Sequence, residues 1–171
     1  LSDHGDLLWD QGGDFWGHAF LYDPVLRSVL LMHWPEGKDA RFKSGSISGL
    51  ATHSDIAPTI LDLIGLPFMA DTDGTSLLPL LESKRREVRL AAFASQRHGG
   101  SLIALRTHKR KLVLSDYEGQ PANAPVAFLR ERAPRGIELY DLENDPGEKI
   151  NIADDDAQSA AALRVQLDVW M

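Results

Sequence analysis

Cysteine is absent from the 171 residues, which removes disulfides, thiolate metal sites and a cysteine nucleophile from this chain. Long apolar runs are absent too. Val29–Met32 falls far short of the ~20 residues that cross a bilayer, so the chain is expected to be soluble, with no membrane partner. No leader-like segment stands before Leu1, but an abrupt start leaves the compartment open between cytoplasm and periplasm or secretion. Positive charge is scarce: 18 Lys and Arg against 25 Asp and Glu leave a net −7. That balance argues against a nucleic-acid partner, whose phosphates would call for a basic face. The one basic run, "RTHKRK" from Arg106 to Lys111, has no interleaved aromatics and reads as a solvated turn between two strands. The six histidines are scattered, without a pair at helical ligand spacing, and no internal repeat is evident.

What is present is a globular composition, 43% apolar and 25% charged, in a length suited to one domain or a domain with a small appendage. The segment "WDQGGDFWG", Trp9 to Gly17, is glycine-rich and aperiodic and reads as a loop. "SVLLMHW", Ser28 to Trp34, suits a strand buried on both faces of a parallel sheet and stopped by Pro35. "SDIAPTILDLIGLP" is a punctuated helix capped by Ser54 or Asp55, with Pro58 in its first turn and Gly65 and Pro67 at its end. Ile56, Ile60, Leu63 and Ile64 share one face, which is expected in a core. A short helical turn follows in "DGTSLLPLLESKRRE".

Beyond residue 84 the pattern changes. Arg89–Ser95, Ser101–Thr107, Lys111–Asp116 and Gly136–Leu142 are strand-like runs with close turns, which implies antiparallel pairing. Residues 119–136 read as a long surface loop. A closing helix aligns Ala160, Leu163, Leu167 and Trp170 on one side, with Asp154, Asp155 and Asp156 at its positive end. The expected organisation is an α/β portion over 1–84 and a small α+β subdomain over 85–171.

The opening "LSDHGD" places an oxygen and a nitrogen donor, Asp3 and His4, beside the small hydroxyl of Ser2 and the permissive Gly5. Such a cluster serves a metal site or an acid/base pair, and it also makes an ordinary turn.

Five segments in order, "SDHGD", "WGHAFLYDPVLR", "HSDIAPTILDLIGLP", "DGTSLLPLL" and "ELYDLENDPGEKINIA", resemble the C-terminal part of the type I sulfatases, in the alkaline phosphatase superfamily. The resemblance covers nearly the whole chain. It implies the back half of an alkaline-phosphatase-like parallel sheet domain, followed by a C-terminal subdomain with a roughly four-stranded antiparallel sheet and a closing helix. It implies that Asp3 and His4 ligate the active-site metal at the end of a central strand, Leu1 and Ser2 being that strand's last residues, a location typical of open α/β sheets. Gly5 would permit the turn that lets both neighbours reach one ion.

The family implies calcium, whereas an imidazole at His4 suits manganese or zinc better. His18 matches the place of a lysine that contacts sulfate in arylsulfatases, and a histidine there can donate a hydrogen bond to an anionic oxygen. Arg27 is expected to be structural and paired with Asp23, and Asp55 to be a helix cap. The family's nucleophile is a formylglycine made from Cys or Ser in Cys/Ser-x-Pro-x-Arg. This chain has no such motif, so no catalytic nucleophile is assigned to it.

The implied activity is a metal-dependent hydrolysis of sulfate esters, with a small sulfate or phosphate ester as substrate. The expectation is a fragment, inactive alone, whose partner is the missing N-terminal part of its own domain and which exposes apolar surface and can self-associate. The alternatives are a phosphonate or phosphate mono- or diester hydrolase of the same superfamily, and a non-catalytic interaction module.

Overall fold

A computed structural model describes residues 1–11, 16–18, 20–34, 42, 44–68, 71–96, 101–116 and 136–171. The residues read above as the long surface loop lie, apart from Gly136, outside this set. The described residues cluster into two compact units, 1–30 with 93–171, and 31–92. The first unit joins the N-terminal segment to the C-terminal sheet.

The larger unit is built on a four-stranded antiparallel sheet, β3 (Ala92–Gln96), β4 (Ser101–Arg106), β5 (Arg110–Asp116) and β6 (Gly136–Asp141), in that order. Its antiparallel pairing and position match the expectation for residues 85–171. Leu105 faces Leu112 and Leu112 faces Leu139 across the ladders. All three are fully buried, and because side chains alternate along a strand they share one face. The closing helix α4 (Ala157–Trp170) lies against β4, β5 and β6 and buries Ala160, Leu163 and Leu167, as its spacing predicts. Asp156 caps it by accepting the Ser159 amide at 3.1 Å. Trp170 is half exposed yet stacks on Phe93, with ring centroids 5.0 Å apart.

The opposite sheet face carries Leu102, Ala104, Val113 and Tyr140. These pack with Leu7, Phe20, Leu21, Tyr22 and Val25 of the N-terminal segment into the unit's core. That segment contains a two-residue antiparallel pair, β1 (Leu7–Leu8) with β2 (Trp16–Gly17), and one short helical turn, α1 (Asp23–Leu26).

In the smaller unit, a 3-10 turn (His53–Asp55) leads into α2 (Ile56–Leu63), and α3 (Leu78–Leu81) packs on it. Asp55 stands at the N-cap position of α2, as expected, without a side-chain cap bond to that helix, and its carboxylate completes a capping box with Thr52 at the start of the 3-10 turn. Asp55 is fully buried and does more than cap. It accepts from Thr52 N at 2.7 Å, from Thr75 N at 2.8 Å and from the Arg89 guanidinium. The buried side of α2 carries Pro58 and Thr59, whereas Ile60 and Ile64 are exposed, contrary to the apolar-stripe expectation. On that buried side the Thr59 hydroxyl donates to Asp55 O at 2.5 Å and accepts from Leu77 N at 2.9 Å, so the buried polar group is paired.

Two further expectations fail. Neither Ser28–Trp34 nor Leu1–Ser2 forms a strand, and the described residues contain no parallel ladder. A strand requires a hydrogen-bonded ladder, whereas among the described residues these stretches are joined through Ser2 N to Val29 O at 2.9 Å and Val29 N to Ser2 Oγ at 2.8 Å. Val29, Leu31 and Met32 are exposed. Among the described residues no helix is long and apolar enough to cross a membrane.

Candidate metal and anion site

The β1–β2 register places Leu7 opposite Gly17, so Asp6 and His18, one residue beyond the pair, emerge side by side. His18 Nδ1 lies 3.2 Å from Asp6 Oδ1. His4 joins them, its ring centroid 4.5 Å from that of His18. His4, Asp6 and His18 each offer a ligand atom within 4.8 Å of the others, and all three are exposed. Asp3 stands at the edge, its Oδ2 3.7 Å from His4 Nε2. The three residues singled out from sequence are thus brought together, and Asp6 is added to them. The ladder that aligns Asp6 with His18 is two residues long, too short to leave a periodicity in the sequence.

The hydrogen bonds settle the tautomers. His4 Nδ1 faces Gly5 O at 2.8 Å, and a carbonyl only accepts, so Nδ1 carries the proton. His18 Nδ1 in the same way donates to a carboxylate. In the neutral rings both Nε2 lone pairs are then available, and a ring whose other nitrogen is tied to an oxygen is the usual form of a metal-bound histidine. The backbone N–H groups of Asp3 and His4 hold the Asp3 carboxyl below its ordinary range, keeping it an anion. Asp3 and His4 offer an oxygen and a nitrogen that could hold a divalent cation, with Asp6 and His18 beside them.

Gly5 works differently from the expectation. Its φ is not in the left-handed region. What requires glycine is close approach: its N–H donates to Val25 O at 2.8 Å, and a Cβ would stand 2.1 Å from Pro24 O. The loop Asp3–Asp6 therefore rests directly on the backbone of α1.

α1 is in turn held by a buried charge cluster that sequence reading missed. Asp23 is buried and accepts from Arg106 Nη2 at 3.0 Å and from Lys111 Nζ at 3.2 Å. Lys111 is fully buried and its Nζ lies 2.6 Å from Glu148 Oε1. Arg27 adds the expected contact to Asp23 at 3.2 Å. The run Arg106–Lys111 does contain the expected turn, at residues 107–109, but its ends point inward. Arg106 and Lys111 are cross-strand partners and share the face that meets α1. Burial raises the Asp23 pKa, but the Arg106 hydrogen bonds and the Lys111 and Arg106 charges outweigh it and hold the carboxyl low. Burial pushes Glu148 up, with Lys111 opposing it. Burial also raises Glu138 and the hydroxyls of Tyr22 and Tyr140 beside it.

Residues 13–114 match the family described as N-sulphoglucosamine sulphohydrolase, C-terminal. The chain is 30% identical to arylsulfatase K of Rattus norvegicus over 97% of its own length and 28% of that protein. It is 28% identical to the choline-sulfatase of Rhizobium meliloti over 90% of its length and 26% of that protein. Among solved structures, one holding its substrate D-glucosamine-2-N,6-O-disulfate superposes with a TM-score of 0.74 at 25% identity, over 97% of this chain and 32% of that one. The chain thus spans roughly a quarter to a third of each relative's length.

Proposed function

This chain belongs to the sulfatase family represented by the C-terminal region of N-sulphoglucosamine sulphohydrolase, and from that premise we propose that it is part of a metal-dependent hydrolase of sulfate esters. The observation that carries this reading is the convergence of His4, Asp6 and His18, with Asp3 at their edge.

Asp3 and His4 hold the cation in this reading, and Asp6 keeps the His18 ring turned so that Nε2 faces outward. The bound cation supplies positive charge against which the negative charge of the transferred group is stabilised. His18, with a proton on Nε2, donates to an anionic oxygen of the ester. The nucleophile, a formylglycine, comes from residues outside these 171. The exposed Val29, Leu31 and Met32 support the reading that further chain covers this segment.

The test compares the product of the whole coding region with the 171-residue chain on a chromogenic sulfate ester. The larger protein is expected to turn it over with added divalent cation and to lose at least about a hundredfold in kcat/KM on His4→Ala, in line with removal of a group acting on the transition state. Turnover by the 171-residue chain alone would overturn the assignment of the nucleophile. A preference of the larger protein for phosphonate or phosphate esters would move the substrate to the related hydrolases.

A further inference from the structure

The candidate ligand loop has little support of its own. It lies on α1, and α1 is only four residues long, too short for helix formation to sustain it alone. Tyr22 at its N-cap provides no side-chain cap. The cap comes instead from 125 positions away: the Asp23 amide donates to Glu148 Oε2 at 2.6 Å. Glu148 is buried and held at φ 54, a left-handed conformation that costs a non-glycine residue free energy and persists only where its surroundings enforce it. Its partner oxygen meets Lys111, which reaches back to the Asp23 carboxylate. The turn that carries Glu148 also receives Gln11 Nε2 on Gly147 O at 3.0 Å, just beyond β1. One turn therefore restrains the chain on both sides of His18, at Gln11 and at Asp23.

Both signs of charge meet in this cluster, with Arg27 reaching Asp23 from the exposed side. Asp23 and Glu148 oppose Lys111 and Arg106, each of them buried or largely so. Apolar packing alone would hold α1 against the sheet at least as firmly, since replacing a buried ion pair by apolar groups is often neutral or stabilising. Charge-assisted hydrogen bonds are directional, and they set where α1 sits along the sheet. Gly5 transmits that setting without slack, because Pro24 O leaves no room for even a methyl group.

We propose that Glu148, Lys111 and Asp23 are positioning residues for the candidate cation site: by fixing α1 from the C-terminal sheet they set the spacing of Asp3, His4, Asp6 and His18 without touching a ligand themselves. The word cation rests on the function proposed above; the positioning does not. Firmness of attachment and placement of the loop then become separable properties.

The experiment replaces the pair by apolar groups, Lys111→Met with Glu148→Leu, in the full chain. Amide hydrogen exchange, the imidazole resonances of His4 and His18, and Mn2+ affinity are the readouts. The variant is expected to keep the protection of the β4–β5 and β5–β6 ladders. It is expected to lose protection of the Gly5 amide by at least about tenfold, to shift both imidazoles, and to bind Mn2+ about 10–100-fold more weakly, as losing an orienting partner of a ligand does. Glu148→Gln, which retains an oxygen for the Asp23 amide, is expected to give a smaller change in the same three readouts, and it decides the matter if the double variant does not fold. Unchanged Gly5 protection and unchanged imidazoles in a folded variant would overturn the proposal. If the wild-type chain binds no Mn2+, the cation reading fails, and the exchange and resonance data still decide whether the cluster positions the loop.

Discussion

Lys111→Met removes the cation from a site where it is fully buried and meets two carboxylates, at 2.6 Å and 3.2 Å. At an effective dielectric of about 20, the attraction across 2.6 Å is about 6 kcal/mol,. Desolvating the ammonium offsets several kcal/mol of it, so the expected net loss is about 3–5 kcal/mol, the usual cost of breaking a buried pair from one side. Asp23 keeps the Arg106 guanidinium, so the loss falls mainly on Glu148, whose remaining bond is to the Asp23 amide. Glu148 already has a raised pKa in the folded chain, and without Lys111 it rises further. A folded pKa above the unfolded one favours folding of the protonated form. The variant should therefore recover stability as pH falls through the folded value, with recovery complete below the unfolded value of about 4.3. Urea unfolding of wild type, Lys111→Met, Glu148→Leu and the variant carrying both, at pH 7 and pH 5, measures both effects. The double variant is expected to lose less than the sum of the singles by about 1–3 kcal/mol. Additive losses, or a Lys111→Met variant that grows less stable toward pH 5, would refute the pairing.

Gly5→Ala should cost about 1–3 kcal/mol, as overpacking does, and weaken Mn2+ binding by the same displacement; calorimetry on the variant checks both, and a neutral substitution would contradict the close approach to Pro24. His4→Asn should shift the cation preference from Mn2+ or Zn2+ toward Ca2+ by about tenfold or more, since an amide oxygen replaces an imidazole nitrogen; competition titrations read this directly. Leu112→Ala, at the fully buried centre of the sheet face, should lose about 2–5 kcal/mol in urea unfolding. Asp55→Ala strands the Arg89 guanidinium and the Thr52 and Thr75 amides, and should destabilise the smaller unit by about 3–5 kcal/mol, read as early loss of amide protection over residues 52–63.

The sequence by itself determined the antiparallel sheet, the closing helix and the family. Alternating apolar runs joined by short turns, the spacing of Ala160, Leu163 and Leu167, and five ordered segments are local signals that survive in a linear string. It also brought Asp3, His4 and His18 to notice, through residue type and position. Only the tertiary structure decided which side of a period-two strand is inside. Alternation says that Arg106 and Lys111 share a face, not that the face is buried, and their partners Asp23 and Glu148 lie 83 and 88 residues before them and 37 after Lys111, respectively. Asp6 needed the β1–β2 register, Gly5 needed Pro24, and the buried Thr59 needed the Leu77 amide. In each case the deciding contact joins residues that are neighbours in space and not in sequence, and the free energy of burial depends on that contact rather than on the residue's own chemistry.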